Sequence, residues 1–101
     1  MLHVIARIEL VDGAQEKFLE VLEKYIPTVR SEEGCIRYEP CLDIESETRA
    51  QFVTIVEEWV DEAHLKKHLA TEHMAQYRQE VAPLRKSTVG IYFSSTSRNF
   101  S

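Results

Sequence analysis

The chain predicts an α+β fold of element order β-α-β-β-α-β, the split βαβ arrangement that builds a ferredoxin-like antiparallel sheet with helices on one face. Three observations predict it. Residues 2–10 alternate, with Leu2, Val4, Ala6, Ile8 and Leu10 on one side, as a strand with one apolar face does. Phe18, Leu19, Leu22, Tyr25, Ile26 and Val29 recur at helical spacing. Gln51 to Trp59 is the strongest strand signal, with apolar groups on both sides, as expected of a strand covered on both faces.

The first strand is followed by Asp12, a natural N-cap with Gln15 three residues on, so a helix is expected from there, kinked or restarted at Pro27. Gly34 ends it. Cys35 to Asp43 reads as the second strand, with Ile36, Tyr38 and Leu42 on one side and Pro40 marking an edge or a bulge. Glu45 to Arg49 is a polar turn before the third strand. Asp61 caps a short helix striped by Leu65 and Leu69, and Thr71 caps a second one carrying Met74, Tyr77, Val81 and Leu84, which Pro83 ends. Residues 87–93 form the last strand. One domain is expected over residues 1–94, with residues 95–101 a polar tail. Ile5, Phe52 and Phe93 on the face away from the helices would leave an apolar patch, best buried against a second copy, so a homodimer is expected.

At 101 residues and 44% hydrophobic content, the chain sustains a single core that buries roughly 60–65% of its unfolded surface. A net charge of −5 argues against nucleic-acid or anionic-membrane partners, which need clustered Lys and Arg. No apolar run approaches a membrane span. Cys35 and Cys41 sit on one extended segment, about 20 Å apart, and cannot pair there. Unpaired thiols and no export signal point to a cytoplasmic setting.

The chemistry concentrates near the third strand. Glu57 and Trp59 share strand parity with Val53 and Ile55, while Glu58 points the other way. A carboxylate among such neighbours is either a partner for a helix group or a tuned acid or base. Trp59 and Tyr38 read first as core rings, and second as functional ones, with the Tyr38 phenol able to hydrogen-bond a substrate oxygen in an apolar pocket. His64 and His68 are four apart, a spacing two metal ligands can use, but no HExxH or Cys-His pattern supports a metal and none is expected. His68 lies beside Leu65 and Leu69 and faces inward; His64 points away. His68 is either a boundary histidine bonded to backbone or a pocket base. His73 and Tyr77, again four apart, share a wall. Gly13, Gly34 and Gly90 are isolated, so there is no Gly-rich phosphate loop, nor a nucleophile elbow.

The stretches Ile26 to Tyr38 and Ala63 to Met74, together with Glu57 and Trp59, resemble the antibiotic-biosynthesis monooxygenase (ABM) family, above all bacterial quinol monooxygenases. The resemblance implies a dimeric α/β barrel. It further implies a pocket between sheet and helices in each subunit, and oxygenation of an electron-rich aromatic by molecular oxygen with no flavin, haem or metal. On that resemblance Trp59, His68 and His73 form the catalytic group, with His68 the base, and Tyr38, Glu57, Ile55, Leu65 and Tyr77 bind substrate. Ile55 and Leu65 stand where polyketide-tailoring members carry asparagine and tyrosine, so that catalytic set is absent. Ala6, and Tyr77 or Arg78, replace the asparagine and histidine of haem-degrading members.

Two other classes of function stay open. An autoinducer-degrading branch of similar pattern isomerises a phosphorylated small ketone, which would need Arg37 or Arg85 in the pocket. A non-catalytic dimeric ligand-binding module would use the histidines only structurally.

Overall fold

A computed structural model describes residues 1–100. Its elements follow in the order β1 (Leu2–Leu10), α1 (Gln15–Arg30), β2 (Cys35–Cys41), α2 (Ser46–Arg49), β3 (Phe52–Trp59), α3 (Glu62–Leu69), α4 (Glu72–Val81), a 3-10 turn (Ala82–Leu84) and β4 (Arg85–Ser94). The four strands form one antiparallel sheet of order β2-β3-β1-β4, the expected ferredoxin-like topology. Helices α1, α3 and α4 cover one face. Phe18, Leu22 and Val29 of α1 meet Val4 and Ile8 of β1 and Val53 and Trp59 of β3, burying the stripes that the sequence periodicities mark.

Several boundaries differ from expectation for local reasons. Asp12 does not cap α1: Asp12 and Gly13 turn the chain, with Gly13 at φ 77°, and the helix starts at Gln15 behind Ala14. Gln15 instead donates its side-chain amide to the carbonyls of Arg49 and Phe52. Pro27 neither kinks nor restarts α1, which runs unbroken for 16 residues. Glu23 and Pro27 both face solvent, so water can take the carbonyl that the missing N–H leaves free. β2 stops at Cys41 because Asp43 turns aside to bind the Arg7 guanidinium and the Thr48 hydroxyl. Glu45 to Arg49 is not only a turn but contains the single helical turn α2. A register shift between Cys35 and Arg37 throws Ile36 outward, so it does not share a face with Tyr38. Pro40 does lie on an edge strand.

The outer sheet face is bare in the single chain. β3 is therefore covered on one side only: Val53, Ile55, Glu57 and Trp59 are buried, whereas Phe52, Thr54, Val56 and Glu58 are half-buried. On β4, Val89, Ile91 and Phe93 are 59%, 55% and 46% exposed. The register sets Ile91 beside Ile5 and Phe93 beside His3 on this face, and Tyr92 beside Val4 on the inner one. β4 also runs two residues earlier and one later than residues 87–93. Beyond it, residues 95–100 are neither helix nor strand, although the Ser95 amide donates to the Met1 carbonyl. Ser101 lies outside the described residues. No helix among those described is long and apolar enough to cross a membrane, and Cys35 and Cys41 are free thiols.

Candidate functional site

Between the inner sheet face and helices α3 and α4 lies a cavity of about 170 Å³. Val4, Ala6 and Ile8 of β1, Ile55 of β3, and Leu65, Leu69 and Met74 of the helices give it apolar walls. Its deep polar groups are Tyr38, Glu57 and His68, all buried; Tyr77 and Val81 close one side. Arg78, Arg85, Thr88 and Tyr92 also line it, and their greater exposure places them at the mouth. A volume near the roughly 150 Å³ that holds a benzene in an engineered protein cavity suits a single aromatic ring.

His68 is delivered by two capped helices. Asp61 Oδ1 accepts from the His64 amide at 2.9 Å to start α3, and Thr71 caps α4 while donating its hydroxyl to the His68 carbonyl at 2.8 Å. The His68 side chain is 1% exposed. Its ring lies 4.5 Å from the Trp59 indole at a 34° tilt, with the Tyr38 ring edge-on at 5.8 Å. Nδ1 is 2.8 Å from Glu32 Oε2, so it carries the proton and donates. Nε2 makes no hydrogen bond among the described residues, yet no buried side-chain nitrogen is orphaned, so this edge faces the accessible cavity. Burial pulls the His68 pKa below its ordinary value against the opposing pull of Glu32. A neutral imidazole with a free Nε2 lone pair is a ready proton acceptor.

Glu57 faces it from β3. The Trp59 indole N–H donates to Glu57 Oε1 at 2.9 Å. Burial nevertheless pushes the Glu57 carboxyl up to about 7, with Glu32 adding to the rise and the indole bond opposing it. Near neutrality Glu57 is thus partly protonated and can give a proton. The Tyr38 phenol is raised strongly by burial, and that of Tyr77 to about 12, so both stay neutral hydrogen-bonding groups.

The structure separates the residues that sequence reasoning grouped. His68, Tyr38, Glu57, Ile55, Leu65 and Tyr77 line the cavity; Trp59 and His73 do not. Trp59, fully buried, stands behind His68 and holds Glu57. His73 Nε2 lies 3.0 Å from Glu32 Oε2, outside the cavity lining. His64 is elsewhere again, bonded to Asp61 and lying over Gly34. The residue that sequence reasoning missed is Glu32, the link between His68 and His73. Its ligand atom and theirs fall within 4.8 Å of one another, the one grouping among the described residues that could hold a cation. Because Glu32 Oε2 already accepts from both imidazoles, the trio reads as a hydrogen-bonded relay. Arg78 and Thr88 were likewise missed as wall residues, since neither stands out by type or spacing.

The comparisons agree with this architecture. Residues 1–80 match the protein family described as "Antibiotic biosynthesis monooxygenase". "Probable quinol monooxygenase YgiN" of Escherichia coli (strain K12) is 36% identical over 88 residues, covering 80% of this chain and 85% of that protein. The crystal structure of protein SO0527 from Shewanella oneidensis superposes with a TM-score of 0.81 at 30% identity, over 91% of this chain and 87% of that one. PA3566 from Pseudomonas aeruginosa shares the fold at a TM-score of 0.83 and 24% identity, over 95% and 94% of the two chains.

Proposed function

This chain belongs to the antibiotic biosynthesis monooxygenase family, and from that premise we propose that it oxidises a small electron-rich aromatic, a hydroquinone or naphthol, with molecular oxygen and no resident cofactor. The observation that carries the reading is the pairing of a neutral His68, fixed by Glu32, with a partly protonated Glu57 in an apolar cavity that takes one ring at its depth and opens at its mouth. His68 Nε2 takes the phenolic proton while Nδ1–H stays on Glu32. The phenolate gives one electron to dioxygen, and the two radicals join through a new C–O bond. The O–O bond then breaks: hydroxide departs with the hydrogen of that carbon and takes the Glu57 proton to form water. His68 returns its proton to Glu57. One hydroquinone and one O2 give one hydroxyquinone and one water. Tyr38 and Tyr77 orient the substrate oxygens, Ile55 and Leu65 clasp the ring, and Trp59 and His73 act from behind by holding Glu57 and Glu32.

The same reading includes a homodimer formed through the bare sheet face, and a cytoplasmic setting, supported by the two free thiols. One observation favours the isomerase alternative. Arg85 does line the cavity, whereas Arg37 turns outward to Glu39.

An oxygen electrode with a panel of reduced quinones and naphthols tests the proposal. Uptake should be faster with protein than without, and His68→Ala should slow it by roughly tenfold or more, the scale of a lost general base. No uptake across the panel overturns it. Anaerobic conversion of a phosphorylated ketone would favour the isomerase, and ligand-dependent thermal shifts without product would favour the binding module.

A further inference from the structure

The proposed chemistry leaves the mouth of the cavity unexplained. Two guanidiniums stand there, in a chain whose acidic groups outnumber its basic ones by 17 to 12. Arg7 and Arg37 give their charge to the carboxylates of Asp43 and Glu39, and Arg30 and Arg49, which do not line the cavity, donate to the carbonyls of Tyr38 and Asp43. Among the described residues neither Arg78 nor Arg85 is paired with a carboxylate. Arg78 Nη2 donates to the Leu69 carbonyl at 2.5 Å, and Arg85 Nη1 to the Thr88 hydroxyl at 3.1 Å. Both partners are neutral oxygens, and the remaining guanidinium N–H groups make no other hydrogen bond among the described residues. The two arginines come from different elements, α4 and the start of β4, and line the same cavity. Arg78 lies close enough to bear electrostatically on His68, and Arg85 on Tyr77.

Resting on the reading of this cavity as the substrate site, we propose that the substrate is a hydroxylated aromatic carboxylate, its ring in the apolar depth and its carboxylate held at the mouth by Arg78 and Arg85. A planar guanidinium matches a carboxylate through two parallel N–H donors. Flat aromatic walls at Tyr38, His68 and Tyr77 suit a ring better than a sugar-like ketone. The anchor adds a third fixed point to the hold of Tyr38 and Tyr77 on the substrate oxygens, and so fixes which ring carbon meets oxygen.

Calorimetric titration under argon separates this inference from the reading beneath it. The probes are hydroquinone, 2,5-dihydroxybenzoate and dihydroxyacetone phosphate, against the wild type, Arg78→Gln, Arg85→Gln and the double variant. The carboxylated ring should bind roughly tenfold or more tighter than hydroquinone, as a charge-assisted pair allows. That preference, the ratio of the two affinities measured on the same variant, should fall in each single variant and vanish in the double one, with circular dichroism confirming the fold. Equal binding of the two rings overturns the inference and spares the reading. A preference that survives in the double variant also overturns it. Arginine-dependent binding of the phosphorylated ketone alone would show that the anion is a phosphate, and failure of every ring to bind would sink the reading as well.

Discussion

Glu57 and His68 hold their unusual proton affinities because burial acts on opposite charge types: it raises the carboxyl and lowers the imidazole. The proposed mechanism needs His68 neutral and Glu57 protonated. The first condition is met above the lowered His68 pKa, the second below about 7. The pH profile of kcat/KM for quinol oxidation should therefore be a narrow bell with its maximum on the acid side of 7. Glu57→Gln should lower the rate and abolish the alkaline limb, leaving the acid one. Stability checks the same residue with the opposite sign. The folded carboxyl keeps a proton that the unfolded chain releases above its ordinary 4.5, so stability falls as pH rises from 4.5 through about 7 and is flat beyond. Glu57→Gln should thus stabilise the protein at pH 8 by an amount on the order of 3 kcal/mol and change little at pH 4, as urea unfolding would show. A destabilised variant at pH 8 would mean that Glu57 is not strained by its surroundings. Glu57 was legible in the sequence because strand parity alone assigns its face. Glu32 was not, because its bond to His68 spans 36 positions and depends on how two helices end.

Elements were legible wherever one periodicity governed a whole segment, as in β1, α1 and β3, and blurred where a side chain far away decided a terminus. Asp43 shows this: its pairing with Arg7 and Thr48, which holds its carboxyl down at about 2, takes it out of β2. The turn between α1 and β2 matters most for the site, since it carries Glu32. Gly34 sits there at φ 84°, and a Cβ on it would come within 2.4 Å of the His64 ring and 2.7 Å of His64 Cβ. His64 cannot easily retreat, because Asp61 holds both its amide and its ring. Gly13 has a similar φ of 77° but nothing within 4 Å of its would-be Cβ. Gly13→Ala should cost about 1 kcal/mol, the conformational penalty alone. Gly34→Ala should cost about 2–3 kcal/mol, adding the steric conflict. It should also slow quinol oxidation by displacing Glu32, which Gly13→Ala should not. Equal unfolding free energies for the two variants would show that the His64 contact yields freely.

At the scale of the molecule, the sheet has two occupations, and β4 belongs to both. Inward, Thr88 and Tyr92 wall the cavity mouth; outward, Val89, Ile91 and Phe93 continue the apolar surface of Ile5, Val56 and Phe52. The sequence disclosed the outer patch through simple alternation, but a strand apolar on both sides cannot say what lies on its second face. A folded chain rarely leaves such a surface to water, and a self-complementary patch closes most simply about a two-fold axis. The same contact would hold β4, which in the single chain is an edge strand whose residues beyond Arg85 are all exposed. Sedimentation at micromolar concentration should give twice the chain mass. Ile91→Glu, placing a charge at the centre of the patch beside Ile5, should give a folded monomer, because the residue is already exposed in the single chain. With β4 released, the cavity mouth loosens, so the monomer should oxidise quinols several-fold more slowly than the wild type, with most of the loss in KM. A wild-type protein that sediments as a monomer would refute the assembly, and a fully active Ile91→Glu monomer would show that the cavity needs no partner to keep its shape.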